Sequence, residues 1–237
     1  MDLSILILTI PERDALYQRL RRKLAGQVAD HKLERHVEVM TYLDNHEHSI
    51  GEKRNTLVTR ATGAFVVFVD DDDDVSDQYV PLIHQTIVNN PAIDCIGIRG
   101  VVTFQGRRAR PLVFSAQYNS IFSRDQTYYR PILPINPIRR DIVLRYPFAD
   151  VGYSEDFDFG MRMARAGVLR NEVLLDEPLY FYYSRRSPVV QALLDATEFI
   201  RHPLGLQAAN RLRVSRWILA QAHTASAAIR KATTNFV

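Results

Sequence analysis

The chain has 237 residues, of which 46% are hydrophobic and 24% charged, as in globular proteins with a sizeable core. No stretch reaches the roughly 18 uninterrupted apolar residues that a membrane span needs, and the first residues lack the basic start of a signal peptide. The single cysteine, Cys95, excludes an internal disulfide and fits a reducing compartment. We therefore expect a cytoplasmic protein.

Four apolar runs in the first hundred residues predict buried strands. Runs without polar alternation are typical of strands that are covered on both faces, as in parallel sheets. The predicted strands span residues 3–10, 36–44, 64–69 and 93–100.

Helical patterns lie between these runs. Leucines at four-residue spacing from Leu16 to Leu24 mark one face of a first helix. A second helix is predicted over residues 51–63 with Gly63 as its stop, and Ser76 is predicted to cap a third that runs to about residue 90. The alternation predicts an α/β fold with a Rossmann-like, mostly parallel sheet flanked by helices. Ligands of such sheets bind at the C-terminal ends of the strands.

The pattern changes after residue 100. A hairpin is predicted to turn near Gly106, and residues 128–141 contain three prolines and are predicted to be mostly irregular. Residues 154–167 predict a short helix with acids in its first turn, and residues 178–184 predict a further strand. From about residue 188 onward the sequence is typical of helix.

Five consecutive aspartates, residues 70–74, follow the third predicted strand directly. In an extended segment, residues two apart point the same way, so Asp70 and Asp72 share one side while Asp71 and Asp73 face the other. Carboxylate oxygens in pairs suit Mg²⁺ or Mn²⁺, with substrate phosphates completing the coordination shell. A solvated acidic turn is the alternative interpretation.

Three segments, "TIPER", "GEKRNTLVTRATGAFVVFVDDDDDVSDQYV" and "YSEDFDFGMRMARAG", occur in this order along the chain. Together they resemble the family-2-type glycosyltransferases, which have the GT-A fold and invert the anomeric centre. The resemblance implies a glycosyltransferase domain over residues 1–186. Residues 1–100 then bind the nucleotide sugar and residues 101–186 the acceptor, with residues 187–237 as a helical C-terminal extension.

The resemblance also implies a donor site. In the family, the loop after the first strand and an acid after the second strand contact the nucleotide base, and an arginine of the second helix lies near the phosphates or the acidic motif. The matching positions are Thr9, Pro11, Glu12, Arg13, Asp44, Lys53 and Arg54.

The family's Asp-x-Asp motif matches Asp70 and Asp72. By this resemblance Asp70 lies near the ribose and Asp72 holds the divalent metal, with Asp70 as a second candidate ligand. The neighbouring aspartates leave the register open by one residue, so Asp71 and Asp73 remain candidates.

The pair Glu155 and Asp156 matches the family's catalytic base motif, which implies that Asp156 takes the proton from the acceptor hydroxyl. On position alone, these acids are more typical of a helix N-terminus, and it is the other motifs that favour the catalytic interpretation. Many relatives carry a histidine after the late strand, and this chain has none between residues 178 and 188. Arg185 and Arg186 either contact the diphosphate in its place or form a solvated turn.

The preferred reading is a metal-dependent inverting glycosyltransferase that uses a nucleotide sugar, and the expected donor is a UDP-sugar. A nucleotidyltransferase is the second enzyme reading, although "TIPERD" lacks the glycine-rich phosphate loop expected of one. A non-catalytic nucleotide- or cation-binding module is the third reading, and it leaves Glu155 and Asp156 without a role.

The acceptor is not specified by the sequence. Residues 101–153 contain aromatic and arginine side chains that suit a sugar, a lipid phosphate or a nucleic-acid base. From Asp195 onward the chain has six Lys or Arg residues and two acids. This basic tail suits a polyanionic acceptor such as DNA, an anionic membrane surface that makes the protein a peripheral membrane one, or simply solvent.

Overall fold

The computed structural model describes residues 1–185, and the chain up to Ser184 forms one compact unit. The predictions for Arg186 and for the helical extension over residues 187–237 lie outside the described residues, so the predicted domain boundary stays a prediction. Within residues 1–185, no helix combines the length and the apolar character that crossing a membrane requires.

Ten strands and five helices make up the described chain. The strands are β1 (Leu3–Thr9), β2 (Val37–Leu43), β3 (Phe65–Phe68), β4 (Asp74–Val75), β5 (Cys95–Phe104), β6 (Arg107–Phe114), β7 (Phe122–Arg124), β8 (Thr127–Arg130), β9 (Ile138–Arg139) and β10 (Glu172–Ser184). The helices are α1 (Asp14–Asp30), α2 (Ile50–Arg60), α3 (Tyr79–Asn89), α4 (Arg140–Arg145) and α5 (Glu155–Ala166), and a 3-10 turn at Pro11–Arg13 precedes α1.

All ten strands belong to one mixed sheet, with the order β2-β1-β3-β9-β5-β6-β8-β7. Strand β1 pairs in parallel with β2 and β3, whereas the short β9 runs antiparallel to its neighbours β3 and β5. Strand β10 lies parallel to β5 and pairs with β4 in the antiparallel sense. Because β1, β2 and β3 run in the same direction, their C-terminal ends bring Thr9, Asp44 and Asp70 to one edge of the sheet.

Helices cover both faces of the sheet around β1, which explains why most of its residues are apolar. Leu3, Ile5 and Ile7 of β1 pack in one core layer with residues of α1 and α3. Leu6, between them, packs in a second layer with residues of α2, α4 and α5. Successive side chains of a strand point to opposite faces, so a strand with two covered faces is apolar at most positions. The exception in β1 is Ser4, whose buried hydroxyl donates to Glu38 at 2.6 Å.

Several predictions for the second half are confirmed. The β5–β6 hairpin turns at Gln105 and Gly106, whose φ of 72° lies in the left-handed region that glycine adopts without strain. Helix α5 spans the predicted acidic segment and ends at Gly167, which has a left-handed φ of 59°. Strand β10 begins at Glu172, several residues before the strand predicted over 178–184.

Two predicted helix boundaries are wrong. Helix α2 ends at Arg60 rather than at Gly63, and a Cβ added to Gly63 lies 2.5 Å from the Ser4 nitrogen. Gly63 is therefore a point of close chain approach, not a helix stop. Ser76 does not cap α3, because its side-chain oxygen is buried without a hydrogen-bond partner among the described residues. Its carbonyl accepts instead from the N–H of Tyr79, at 3.2 Å.

Candidate active site

The acidic run begins directly after β3 and alternates between two environments. Asp71 and Asp73 are each only 2% exposed. The side chains of Asp70 and Asp72 remain 42% and 25% exposed. Burial thus alternates along residues 70–73 as predicted, but the segment is a turn and not extended, because the Asp73 N–H donates to the Asp70 carbonyl at 3.2 Å. Asp70 with Asp72 forms the accessible pair.

Asp71 connects the acidic run to the loop after β1. Its carboxylate accepts a hydrogen bond from the Thr9 hydroxyl at 2.8 Å and one from the Arg13 guanidinium at 2.8 Å. Arg13 also lies 3.3 Å from a carboxylate oxygen of Asp72. Three residues that the resemblance assigns to the donor site, Thr9, Arg13 and Asp71, therefore form one hydrogen-bonded cluster.

Asp73 connects the acidic run to β10. Its carboxylate accepts from the Tyr180 hydroxyl at 2.7 Å and from the Tyr183 backbone N–H at 2.9 Å. The same Tyr180 hydroxyl accepts from the backbone N–H of Asp70 at 3.3 Å. Burial raises the pKa of Asp73 to about 8, with a further contribution from the charge of Asp70. Asp73 is therefore a buried support for the loop, in contrast to the accessible Asp70 and Asp72.

Asp44 at the end of β2 is held by Lys53 of α2. The Lys53 ammonium lies 2.7 Å from one Asp44 oxygen, and the Glu47 backbone N–H donates to the other at 2.7 Å. The hydrogen bond from Lys53 lowers the pKa of Asp44 to about 2, against the opposing effect of burial. Lys53 therefore forms its ion pair with Asp44 rather than with an aspartate of the acidic run.

Arg54 is buried and connects α2 to both acidic motifs. Its Nε donates to Glu155 at 3.1 Å, and its Nη2 lies 3.6 Å from an Asp70 oxygen. The guanidinium lies over the Phe68 ring, with 4.6 Å from its central carbon to the ring centroid, and near the Phe148 ring at 5.7 Å. Glu155 is itself buried, so the ion pair between Arg54 and Glu155 is shielded from water.

Asp156 occupies the first turn of α5 and is partly exposed, unlike its neighbour Glu155. Its Oδ1 accepts from the Phe157 backbone N–H at 2.7 Å. The preceding Ser154 has a left-handed φ of 67°, which turns the chain sharply into the helix. The two candidate catalytic residues thus differ in setting, with Glu155 paired to Arg54 and Asp156 accessible.

The accessible carboxylates form a site of excess negative charge. Desolvation by the surrounding protein raises the pKa of Asp70 although part of its side chain is exposed, and Arg54 lowers this pKa. The charges of Asp72 and Asp156 raise this pKa further. Arg54 contacts both Asp70 and Glu155, the residue before Asp156, which joins the first turn of α5 to the acidic run. Carboxylate oxygens without enough nearby cations fit a hard divalent ion such as Mg²⁺ or Mn²⁺.

The remaining predicted residues lie at the periphery. Pro11 and Glu12 are exposed in the 3-10 turn, and a Glu12 oxygen lies 3.4 Å from the His46 ring. Arg185 is exposed just after β10, and Arg186 lies outside the described residues.

The sequence patterns do not indicate Tyr180 or Phe148 as site residues. Tyr180 lies in a predicted strand, and Phe148 lies in none of the motifs. A buried tyrosine requires a partner for its hydroxyl, so the tyrosines of "PLYFYYS" were the one available signal for a contact to the acidic run.

Comparisons with known proteins give a match in structure alone. No protein-family model matches the chain, and no curated protein matches it in sequence. The S. aureus TarS fragment 1–349, solved in complex with UDP-GlcNAc, superimposes with a TM-score of 0.55 at 16% identity, covering 84% of this chain and 67% of that fragment. The same fragment in complex with UDP gives 0.55 at 18% identity, covering 84% and 66%.

A longer S. aureus TarS structure gives a TM-score of 0.52 at 16% identity, and this chain spans only 40% of it. The fold is therefore GT-A-like, and the predicted fold class of residues 1–185 is confirmed.

Proposed function

We propose that this protein is a metal-dependent inverting glycosyltransferase that moves a sugar from a nucleotide-sugar donor to an acceptor hydroxyl. The observation that carries the proposal is the contact of Arg54 with both Asp70 and Glu155, at 3.6 Å and 3.1 Å. Through Arg54, the acidic run after β3 is joined to the first turn of α5, which carries Asp156 more than eighty residues later. A donor-binding metal motif and a separate carboxylate base are the two parts that this reaction requires.

The donor half of the proposal rests on the cluster around Asp71. Thr9 and Arg13 are fixed by this carboxylate, so the loop after β1 has a defined position beside the acidic run. Pro11 and Glu12 in that loop, with Asp44 at the end of β2, form the proposed nucleotide-base site. The TarS structures with bound UDP-GlcNAc and UDP support a UDP-sugar as the donor class.

The metal half rests on Asp70 and Asp72, which are the two accessible aspartates of the run. We propose that they hold Mn²⁺ or Mg²⁺. When bound, the ion neutralises the diphosphate that leaves during transfer. Arg54 supports the site by facing Asp70 from the buried side, and Glu155 holds Arg54 in that position. Arg185 and Arg186 are further candidates for contact with the diphosphate.

The base is Asp156. Its carboxylate accepts the proton of the acceptor hydroxyl while that oxygen forms a bond to the anomeric carbon. The bond from the same carbon to the diphosphate oxygen breaks with its electron pair going to the leaving group. Attack from the face opposite the leaving group inverts the anomeric centre, so a single carboxylate base suffices. In this mechanism Glu155 acts by positioning Arg54 and does not touch substrate.

A donor screen tests the proposal. The protein is incubated with Mn²⁺ and individual nucleotide sugars, and release of nucleoside diphosphate is scored for each. We expect turnover of at least one UDP-sugar, loss of turnover on chelation, and a product of opposite anomeric configuration by NMR. Release of inorganic pyrophosphate from a nucleoside triphosphate would instead support a nucleotidyltransferase. Donor binding without turnover by any acceptor class would support a non-catalytic binding module.

We assign no identity to the transferred sugar or to the acceptor. A hexose or pentose is compatible with the donor site, and a glycan, a lipid or a nucleic-acid base is compatible with the acceptor half. A cytoplasmic location, including a peripheral association with an anionic membrane, belongs to the same proposal. The buried, unpaired Cys95 is in keeping with a reducing compartment.

A further inference from the structure

Asp2, His36 and His84 meet at the end of the sheet opposite the candidate active site. Asp2 precedes β1, His36 precedes β2, and His84 lies within α3. One Asp2 carboxylate oxygen lies 2.8 Å from His36 Nδ1 and 3.1 Å from His84 Nε2. The two imidazole rings are tilted against each other with centroids 5.1 Å apart. Two imidazole nitrogens and a carboxylate oxygen thus converge from three separate segments.

The spacing of these atoms fits a small transition-metal ion. Ligand atoms about 2.0–2.1 Å from a tetrahedral zinc ion are separated by about 3.3–3.4 Å. The two Asp2–histidine separations fall short of this by a few tenths of an ångström, and all three ligand atoms lie within 4.8 Å of one another. Small rotations of the Asp2 and His36 side chains, which are 37% and 51% exposed, are therefore enough to admit the ion.

The backbone fixes this arrangement in advance. The Asp2 N–H donates to the His36 carbonyl at 2.8 Å, and the Asp2 carbonyl accepts from the Phe65 N–H at 2.9 Å. His84 is anchored in the middle of a buried helix, with its side chain only 14% exposed. His36 is 51% exposed, so the fourth coordination position faces water.

A second group of possible ligands shows why the first is distinctive. Asp44, Glu47 and His48 also lie close together, but the Lys53 ammonium is 2.7 Å from Asp44 and already supplies the positive charge. Among the ion pairs of residues 1–185, Asp2 pairs only with the two histidines. The Asp2 group is therefore the one whose carboxylate lacks a fixed cation.

We propose that Asp2, His36 and His84 form a binding site for Zn²⁺ or a similar imidazole-seeking ion, separate from the proposed Mn²⁺ or Mg²⁺ site. On binding, each histidine presents an unprotonated nitrogen to the ion, and its remaining ring proton moves to the other nitrogen. Imidazole ligands favour zinc strongly over manganese and magnesium, whereas carboxylates alone favour the latter two. The ion cross-links the start of β1, the start of β2 and α3, and so stabilises the folded chain.

Zinc titration of the tag-free full-length chain tests the site. Calorimetry and thermal melting are run with Mg²⁺ in excess, because magnesium occupies carboxylate sites and competes poorly for imidazole. The variants are His36→Gln and His84→Gln. The glutamine amide keeps an N–H donor for Asp2 but lacks the imidazole nitrogen that binds zinc. The matched control is His31→Gln, an exposed histidine outside the group. Each zinc-induced shift in Tm is measured from the same variant's zinc-free value, so a change in basal stability does not obscure it.

We expect one zinc ion to bind the wild-type chain and the His31→Gln variant, each with a raised Tm. We expect the zinc affinity of His36→Gln and of His84→Gln to fall by at least ~10-fold to 100-fold. Losses of this size follow even the mutation of a residue that only hydrogen-bonds to a metal ligand. Equal zinc affinity in wild type and His36→Gln would overturn the proposal, as would an unchanged wild-type Tm at saturating zinc. Catalytic turnover is not a readout, so the outcome is independent of the proposed function.

Discussion

The buried hydroxyl of Tyr180 donates a 2.7 Å hydrogen bond to the carboxylate of Asp73, across 107 residues of sequence. The same hydroxyl accepts from the backbone N–H of Asp70, so a residue of β10 sets the position of the first aspartate in the run. The geometry of the proposed metal ligands therefore depends on a strand that contributes none of them.

Replacing Tyr180 by phenylalanine tests this dependence. The change leaves a buried Asp73 oxygen without its donor, which costs about 1–3 kcal/mol of unfolding free energy. We also expect weaker Mn²⁺ binding, because the Asp70 backbone loses its partner. Urea unfolding and Mn²⁺ titration by electron paramagnetic resonance measure the two effects. Tyr153→Phe, at an exposed tyrosine, is the control and should change neither quantity.

The Arg54–Glu155 ion pair provides a second prediction. Both side chains are buried, so removing one leaves the other charge without a partner in a poorly solvated position. We expect Arg54→Ala to lower the unfolding free energy by about 3–5 kcal/mol. Arg60→Ala, at the exposed end of the same helix, should stay within about 0.5 kcal/mol of wild type. Similar small losses in both variants would show that the pair does not support the site.

The lowered pKa of Asp44 predicts how the free energy of unfolding depends on pH. Its pKa is lowered from 3.8 to about 2 in the folded chain, chiefly by Lys53. The carboxylate therefore stabilises the fold above about pH 4, and this contribution is lost as the pH falls towards 2. The difference in unfolding free energy between wild type and Asp44→Asn should shrink over this interval. A difference that stays constant from pH 6 to pH 2 would contradict the assignment.

The buried and the accessible aspartates of the acidic run should respond differently to substitution. Asp72→Asn should weaken Mn²⁺ binding without a large loss of stability, because this side chain is accessible. Asp71→Asn should instead loosen the loop after β1, since it weakens the hydrogen bonds to Thr9 and Arg13. Calorimetric titration with UDP separates them, with Asp77→Asn as the exposed control. Identical behaviour of the Asp71 and Asp72 variants would contradict the alternation.

Much of the fold was predictable because its signals are local. The strands β1 and β3 are covered on both faces, so nearly every residue is apolar and the run is visible in the sequence. This signal requires no knowledge of which segments meet. The burial of Asp71 and Asp73 and the exposure of Asp70 and Asp72 agree with the predicted alternation, but its physical reason is different, because residues 70–73 form a turn.

The contacts that complete the site were not predictable, because they join distant segments. Arg54 meets Glu155 across 101 residues, and Asp73 meets Tyr180 across 107. Each contact depends on the position of β10 within the sheet or of α5 against it, which the sequence pattern does not specify. The false assignment of Ser76 as a helix cap has a related cause, since its N–H donates to the Leu179 carbonyl and its carbonyl accepts from the Gln27 side chain, both at 2.9 Å.

The most direct test of the account compares Asp156→Asn with Asp158→Asn. Both residues lie in the first turn of α5, but Asp158 forms an ion pair with Arg162 at 2.7 Å and has no proposed role in transfer. Sugar transfer and UDP-sugar binding are measured for each variant in the presence of Mn²⁺. The account predicts that Asp156→Asn loses at least about 100-fold in transfer rate and still binds the donor, whereas Asp158→Asn retains both. Wild-type turnover by Asp156→Asn would contradict the proposed mechanism.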